Sequence, residues 1–191
     1  MPDILPQFES ILLSRKGRRL DMTLNRPDLL NAVDEALHRD LPVAIAFAAG
    51  DPGSDLIVLT GAGRAFSAGG DVALMEHQAA HPEVFDAGVA AAKAIVFGML
   101  DLEKPVICRM NGHAVGLGAT IALLCDIVIA AEGAKIGDPH VGIGLVAGDG
   151  GAVVWAARIG AARAKEYLLT GELIGAAKAA EIGLIDRKSV V

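Results

Sequence analysis

Two glycine-rich segments of this 191-residue chain combine small side chains with main-chain groups that a ligand could approach. The first, GAGRAFSAGGD, covers residues 61–71, and the second, NGHAVGLGAT, covers residues 111–120. Small residues let a ligand come close to main-chain N–H groups, and a following helix adds the positive end of its dipole. Two such loops could direct two N–H donors at one oxygen, which is the design of an oxyanion hole.

Two titratable side chains lie further along the chain, in glycine-containing segments. His140, in GDPH, has an ordinary pKa of about 6.5, so it is a candidate for proton transfer; the alternative is a partly buried histidine that orients a loop. Asp149, in AGDGG, precedes a predicted helix. It is a candidate either for acid–base chemistry or for the helix N-cap, where aspartate is a preferred residue.

Alternating strands and helices must position these residues. Short apolar runs at 55–60 and 106–110 predict a buried strand before each loop. Two more patterns predict antiparallel strands at 10–15 and 19–25, and another predicts a strand at 126–130. Helices are predicted at 32–49 (kinked or divided at Pro42), 83–100, 117–124, 151–158, 162–170 and 175–182. This alternation predicts an α/β fold with a largely parallel sheet.

Composition excludes several classes of protein. With 53% hydrophobic and 21% charged residues the chain is not disordered, and without a linker we expect a single domain over residues 1–191. Lys and Arg number 17 against 23 Asp and Glu, a net charge of −6, which argues against nucleic-acid binding. Two cysteines without a metal or disulfide pattern, and no signal or membrane-spanning stretch, predict a cytoplasmic protein that does not bind membranes.

Four segments together resemble the crotonase family of enoyl-CoA hydratases and isomerases. They are LNRPDLLNAVD (24–34), GRAFSAGGDV (63–72), NGHAVGLGATIALLCDIVIAAEGAKIG (111–137) and LLTGELIGAAKAAEIGLID (168–186). The resemblance implies a spiral of ββα repeats, C-terminally truncated because the family's C-terminal helical region is largely absent. It also implies an acyl-CoA thioester as substrate, with no cofactor beyond the coenzyme A of the substrate, no metal, and a homo-oligomer that is a trimer or hexamer.

The resemblance also assigns residues. It implies that the main-chain N–H groups of Ala68 and Leu117 form the oxyanion hole, and that His140 and Asp149 are the acid–base candidates. Arg26 and Arg64 flank the loops and could meet coenzyme A phosphates, with solvated arginine as the alternative. The set of residues expected to contact the substrate or its coenzyme A is Arg26, Arg64, Ala65, Phe66, Gly69, Gly70, Asp71, Val72 and Gly116.

The sequence departs from the family at both glutamates that hydratases use to add water. Thr120 and His140 stand at these positions, and threonine cannot act as a general base near neutral pH. Asp149 lies in a segment similar to the D-G-G segment of naphthoate synthases, where an acidic residue lies at the active site. We therefore expect isomerisation, or addition and elimination at an activated substrate, rather than efficient hydration of short enoyl-CoA esters.

Two other functions remain open at this point. Loss of both glutamates favours a binding module that holds coenzyme A esters without turnover. The segment AFSAG nearly matches the nucleophile elbow of serine hydrolases, with Ser67, Asp126 and His140 in the order that the α/β-hydrolases use.

Overall fold

The computed structural model describes residues 4–189, and the side chains of residues 82–85 and 87 lie outside that description. Its α-helices are α1 Glu35–Gly50, α2 Val72–Ala80, α3 Pro82–Leu100, α4 Leu117–Leu124, α5 Gly151–Ile159, α6 Ala161–Thr170 and α7 Ala176–Glu181. Its strands are β1 Ile11–Lys16, β2 Arg19–Leu24, β3 Leu56–Gly61, β4 Ala65–Ser67, β5 Val106–Met110, β6 His113–Val115, β7 Ile127–Ala131, β8 Lys135–Gly137, β9 Ile174–Gly175 and β10 Arg187–Ser189.

Six of these strands form one sheet in the order β1-β2-β3-β5-β7-β10. The first two are antiparallel around a turn in which Gly17 has φ of 59°, a conformation that favours glycine. Every other neighbouring pair in this sheet is parallel. The prediction of a largely parallel α/β sheet is therefore confirmed.

A second sheet, in the order β4-β6-β8-β9, was not predicted. Its first three strands lie in segments that the sequence analysis treated as loops or left unassigned, and they are parallel to one another. Each follows a strand of the large sheet, so β3–β4, β5–β6 and β7–β8 are successive strand pairs, each followed by helix. This is the ββα repeat that the family resemblance implies.

The helices α1 and α4 border the site, and their starting positions have identifiable causes. Helix α1 begins at Glu35, three residues later than predicted, because the Asp34 side chain accepts a hydrogen bond from Leu37 N at 2.9 Å and caps the helix. Pro42 lies inside α1 without dividing it. Helix α4 has the predicted bounds and is buried along nearly its whole length, so it fixes the second glycine-rich loop against the core.

Two buried or half-buried asparagines hold the first glycine-rich loop in place. Asn31 Nδ2 donates to the main-chain oxygens of Ala62, Ala65 and Phe66 at 2.9–3.1 Å. Asn111 Oδ1 accepts from Gly61 N at 2.9 Å. These bonds link the first loop to the segment before α1 and to the end of β5, so the backbone of the site is rigidly supported.

No helix in residues 4–189 is long and apolar enough to cross a membrane. A cytoplasmic location stays a prediction.

Candidate active site

The two glycine-rich loops lie against each other without space for side chains between them. A Cβ on Gly69 would lie 2.5 Å from Val115 O, and Gly69 also has a φ of 85°. A Cβ on Gly118 would lie 2.7 Å from Ser67 Cβ. Real Cβ atoms do not approach this closely, so glycine is required at both positions. The glycines therefore bring main-chain groups of the two loops together.

The main-chain N–H of Ala68 is not available to a ligand. It donates to Leu30 O at 2.9 Å, within the contact between the first loop and the segment before α1. The prediction that Ala68 supplies one donor of the oxyanion hole is therefore wrong, because an N–H group that is already bonded inside the fold offers nothing to a substrate oxygen.

The N–H groups of Gly70 and Leu117 are among those in these loops that have no hydrogen-bond partner among the described residues. Gly70 is bridged to Val33, but that bridge uses Gly69 O and the N–H of Asp71. Leu117 is the first residue of α4, where main-chain N–H groups have no partner within the helix. The N–H of Thr120 makes the first helical bond, to Gly116 O at 3.0 Å.

A cluster of three titratable side chains lies beside the second loop. His140 Nδ1 is hydrogen-bonded to Asp138 Oδ1, and His140 Nε2 lies 3.7 Å from Asp149 Oδ2. The side chains of His140, Asp149 and Asp138 are 18%, 13% and 0% exposed. The imidazole covers Gly116, since a Cβ there would lie 3.3 Å from His140 Cε1. The cluster is thus adjacent to the free N–H of Leu117.

The surroundings raise the pKa of both His140 and Asp149. The hydrogen bond to Asp138 is the main cause that raises the pKa of His140; burial opposes it, and the charge of Asp149 adds to it. Burial is the main cause that raises the pKa of Asp149, because it disfavours the carboxylate; the charge of His140 opposes this shift. The cluster therefore retains protons at higher pH than isolated histidine and aspartate side chains do.

Thr120 acts on Asp149 rather than on a substrate proton. This side chain is fully buried, and its hydroxyl donates to Asp149 Oδ1 at 3.3 Å. The same oxygen accepts from Gly151 N at 3.2 Å. A carboxylate from the loop before α5 thus reaches the position in α4 where the family resemblance implies a glutamate.

The three side chains also offer donor atoms within 4.8 Å of one another, a spacing that a small cation could bridge. However, His140 Nδ1 and Asp138 Oδ1 are joined directly by a hydrogen bond. A proton between these two atoms occupies Nδ1, and a direct bond of this kind between an imidazole and a carboxylate is what an acid–base cluster requires.

Arg26 is not free to meet a phosphate. Its guanidinium lies 2.9 Å from Asp34 Oδ2 and 3.9 Å from Asp71 Oδ2, and it donates to Ala32 O at 2.8 Å. The nearby carboxylates neutralise its charge, so the prediction of a coenzyme A contact is not supported here. Arg64 is exposed and has no ion pair in the described part of the chain, and its role stays a prediction.

Asp71 has a structural role at the start of α2. Its side chain caps α2 by accepting from Leu74 N at 3.2 Å. Together with neighbouring residues it lines a cleft of about 340 Å³ beside the first loop, whose other lining residues are Arg26, Asp34, Glu35, Leu74 and His77. A substrate contact of Asp71 stays a prediction.

The remaining predicted contact residues differ in accessibility. Phe66 is fully buried in the core and Ala65 is 5% exposed, so only their main-chain groups could meet a ligand. A substrate contact of these two residues stays a prediction. Gly69 and Gly116 contribute backbone shape at the contact of the two loops. Val72, at the start of α2, is 64% exposed, and its contact with substrate is untested.

Ser67 is not a nucleophile in this fold. It is fully buried, its hydroxyl donates to Asn31 O at 2.8 Å, and its Oγ accepts from Gly69 N. Asp126, the proposed partner, accepts from Val106 N at 2.7 Å. The serine hydrolase hypothesis is therefore wrong, because both side chains are used to hold the backbone.

The sequence placed Gly70 among the substrate contacts without singling out its N–H group, and it gave Asp138 no role. Gly70 stands one residue before Asp71, and only the bonding of its neighbours distinguishes its N–H from that of Ala68. Asp138 is two residues before His140 in the segment GDPH, and an acidic residue at this spacing was the one available signal.

Comparisons with known proteins agree with this architecture. The profile of the family described as "Enoyl-CoA hydratase/isomerase" matches residues 17–190. A crotonyl-CoA hydratase of Syntrophomonas wolfei is 35% identical over 182 residues, which are 94% of this chain and 69% of that protein. A short-chain-enoyl-CoA hydratase of Clostridium acetobutylicum is 35% identical over 184 residues, covering 95% of this chain and 69% of that protein.

Solved structures agree with the sequence relatives. The crystal structure of an enoyl-CoA hydratase/isomerase from Mycobacterium paratuberculosis has a TM-score of 0.91 and 42% identity, covering 94% of this chain and 72% of that one. An enoyl-CoA hydratase from Bacillus anthracis has a TM-score of 0.89 and 31% identity, covering 96% and 71%. The match extends over both sheets and both glycine-rich loops, and the chain therefore belongs to the enoyl-CoA hydratase/isomerase family.

Proposed function

We propose that this protein binds acyl-CoA thioesters and moves a proton at the carbon next to the thioester, through an enolate that two main-chain N–H groups stabilise. Family membership supports the substrate class, with coenzyme A entering as part of the substrate. One observation carries the proposal: an Asp149–His140 pair lies directly beside the N-terminus of α4, where Leu117 N–H has no partner among the described residues.

The oxyanion hole in this proposal consists of Gly70 N–H and Leu117 N–H. These groups lie in the two loops that touch through Gly69 and Gly118. The dipole of α4 adds positive potential at Leu117, which favours the negative oxygen of an enolate. Rigid donors of this kind require no reorganisation when charge develops, and each typically contributes about 2.7–4 kcal/mol.

Asp149 is the base in this proposal and His140 is the acid. Burial raises the pKa of Asp149, and the hydrogen bond to Asp138 raises the pKa of His140. The proposal requires a pH range in which Asp149 is ionised while His140 still carries its second proton. Burial makes the carboxylate a stronger base than an exposed one, as proton abstraction from carbon requires.

An isomerisation fits these groups without a second glutamate. Asp149 removes a proton from C2 of a 3-enoyl thioester, the C–H electron pair moves toward the thioester oxygen, and the hole holds the resulting dienolate. A proton delivered to C4 by the acid then yields the 2-enoyl thioester. No water is added and no oxidant is needed, so the absence of glutamate at Thr120 and His140 does not prevent this reaction.

The proposal is tested with wild-type protein in deuterium oxide. We expect deuterium at the α-carbon of short acyl-CoA esters and conversion of a 3-enoyl-CoA to a 2-enoyl-CoA, with little hydration of crotonyl-CoA. The rate should rise with pH through a pKa above the ordinary aspartate range and fall through one above the ordinary histidine range. Ester binding without exchange, or rapid hydration that persists in both Asp149→Asn and His140→Gln, would contradict the proposal.

We also expect a homo-oligomer, a trimer or a dimer of trimers. Support comes from exposed apolar side chains around the loop before α5, namely Val141, Ile143, Leu145, Val146 and Val153. Apolar surface of this kind is typical of regions that another protein surface covers. Light scattering should give a multiple of the mass of one chain, and a monodisperse monomer would contradict the expectation.

A further inference from the structure

Asp138 is a buried carboxylate whose hydrogen bonds differ from those expected of a residue that only supports the fold. It follows β8 directly and its side chain is fully buried. One oxygen, Oδ2, has no hydrogen-bond partner among residues 4–189, although burying a carboxylate oxygen without a donor costs stability. A Cβ on Gly151 would lie 2.3 Å from this oxygen, so a larger residue at position 151 would collide with it. The fold therefore buries the carboxylate of Asp138 although only one of its two oxygens accepts hydrogen bonds.

The other oxygen of Asp138 is directed entirely at His140. Oδ1 is hydrogen-bonded to the imidazole Nδ1 and accepts from the main-chain N–H of His140 at 3.4 Å. Pro139, between the two residues, limits the backbone conformations that could release this arrangement. A carboxylate can only accept in such a contact, which makes Nδ1 of the ring the donor.

We propose that Asp138 is a positioning residue, which keeps the proton of neutral His140 on Nδ1 and turns Nε2 toward Asp149. The proposal extends the acid–base assignment and rests on the proposed function for its catalytic consequence. With Nδ1 occupied, Nε2 is the ring atom left to exchange a proton with Asp149 or with substrate. Asp138 and Asp149 are the two charged groups that act on the ring, one at each nitrogen.

The tautomer can be measured without any substrate. In ¹⁵N-labelled protein, long-range imidazole spectra distinguish Nδ1–H from Nε2–H, and His140→Gln identifies the His140 signals among the five histidines. At high pH we expect wild-type His140 to carry its proton on Nδ1. In Asp138→Asn we expect that proton on Nε2, since an amide can donate to Nδ1, and we expect a lower pKa for His140.

The matched control is Asp126→Asn. Asp126 accepts a main-chain hydrogen bond from Val106 N at 2.7 Å, so this variant makes the same carboxylate-to-amide change at a backbone-holding aspartate far from the imidazole in sequence. It should leave the His140 tautomer and pKa unchanged. A wild-type ring protonated on Nε2 at high pH would overturn the proposal even if Asp138→Asn does not fold, and so would an unchanged tautomer in a folded variant.

Activity provides a separate readout. In protein that catalyses α-proton exchange, Asp138→Asn should lower the rate by about 100-fold, the lower end of the contribution typical of acid–base groups. The alkaline limb of the pH–rate profile of Asp138→Asn should move to lower pH, a shift that a general loss of stability would not produce. If the wild type catalyses no exchange, the proposed function fails, but the spectra still decide whether Asp138 positions the ring.

Discussion

Replacing Asp149 by asparagine is expected to lower α-proton exchange by about 10²- to 10⁴-fold, the range in which a general base contributes. Asparagine keeps an oxygen that can accept from Thr120 and Gly151, so the loop before α5 should retain its bonds. The variant loses the group that abstracts the proton. The rising limb of the pH–rate profile should disappear, because it reports ionisation of Asp149.

The stability of the same variant distinguishes a catalytic from a structural role. Asp149 Oδ2 is buried and accepts no hydrogen bond from the described part of the chain, and burial raises the pKa of this carboxyl. A neutral side chain should therefore be tolerated at neutral pH, and the melting temperature should stay equal or rise. The pKa of His140 should fall, since the charge of Asp149 helps to raise it. Full exchange activity in Asp149→Asn would exclude Asp149 as the base.

The long elements of the fold could be predicted from the sequence because their patterns are strong. Val106–Met110 and Leu117–Leu124 have the predicted bounds, since an apolar run before a glycine turn and a continuous apolar helix each have few alternatives. The strands Ala65–Ser67 and His113–Val115 were missed because three residues cannot establish a period of two. Their pairing with each other, across a long sequence separation, makes them strands.

In the first loop, the sequence did not identify which N–H group has no partner inside the fold. Ala68 and Gly70 are both small and two residues apart, so sequence cannot say which N–H is used inside the fold. Leu30 decides which of the two N–H groups is bonded, because its main-chain oxygen accepts from Ala68 N. Leu30 lies in the segment before α1 and has a φ of 53°. Likewise, the link from Thr120 to Asp149 spans 29 residues and follows only from the way α4 and α5 pack.

Gly70→Pro is expected to lower activity by about 10²- to 10³-fold, the loss typical of removing one oxyanion donor. Proline has no N–H, so the substitution deletes the proposed donor directly. The bonds that hold this segment to Val33 use Gly69 O and Asp71 N, and both remain in the variant. The effect should appear in kcat, because the donor acts mainly on the enolate and less on the bound ester.

Gly70→Ala is the matched control for this substitution. It keeps the N–H, and its Cβ would lie 3.4 Å from Sδ of the flexible Met75 side chain, an ordinary contact. Near wild-type activity in Gly70→Ala, together with a large loss in a folded Gly70→Pro, would separate the donor from the shape of the loop. Equal activity in both variants would refute the assignment and require a different donor in the first loop.

Leu117 allows the same comparison on the other side of the hole. It is the first residue of α4, a position at which helices accept proline, so Leu117→Pro removes the N–H without interrupting the helix. Because its side chain is 4% exposed, Leu117→Ala is needed to measure the cost of lost packing. If both N–H groups bind one oxygen, each proline variant should lower kcat relative to its alanine control. A loss confined to one side would mean that the enolate is held by one loop alone.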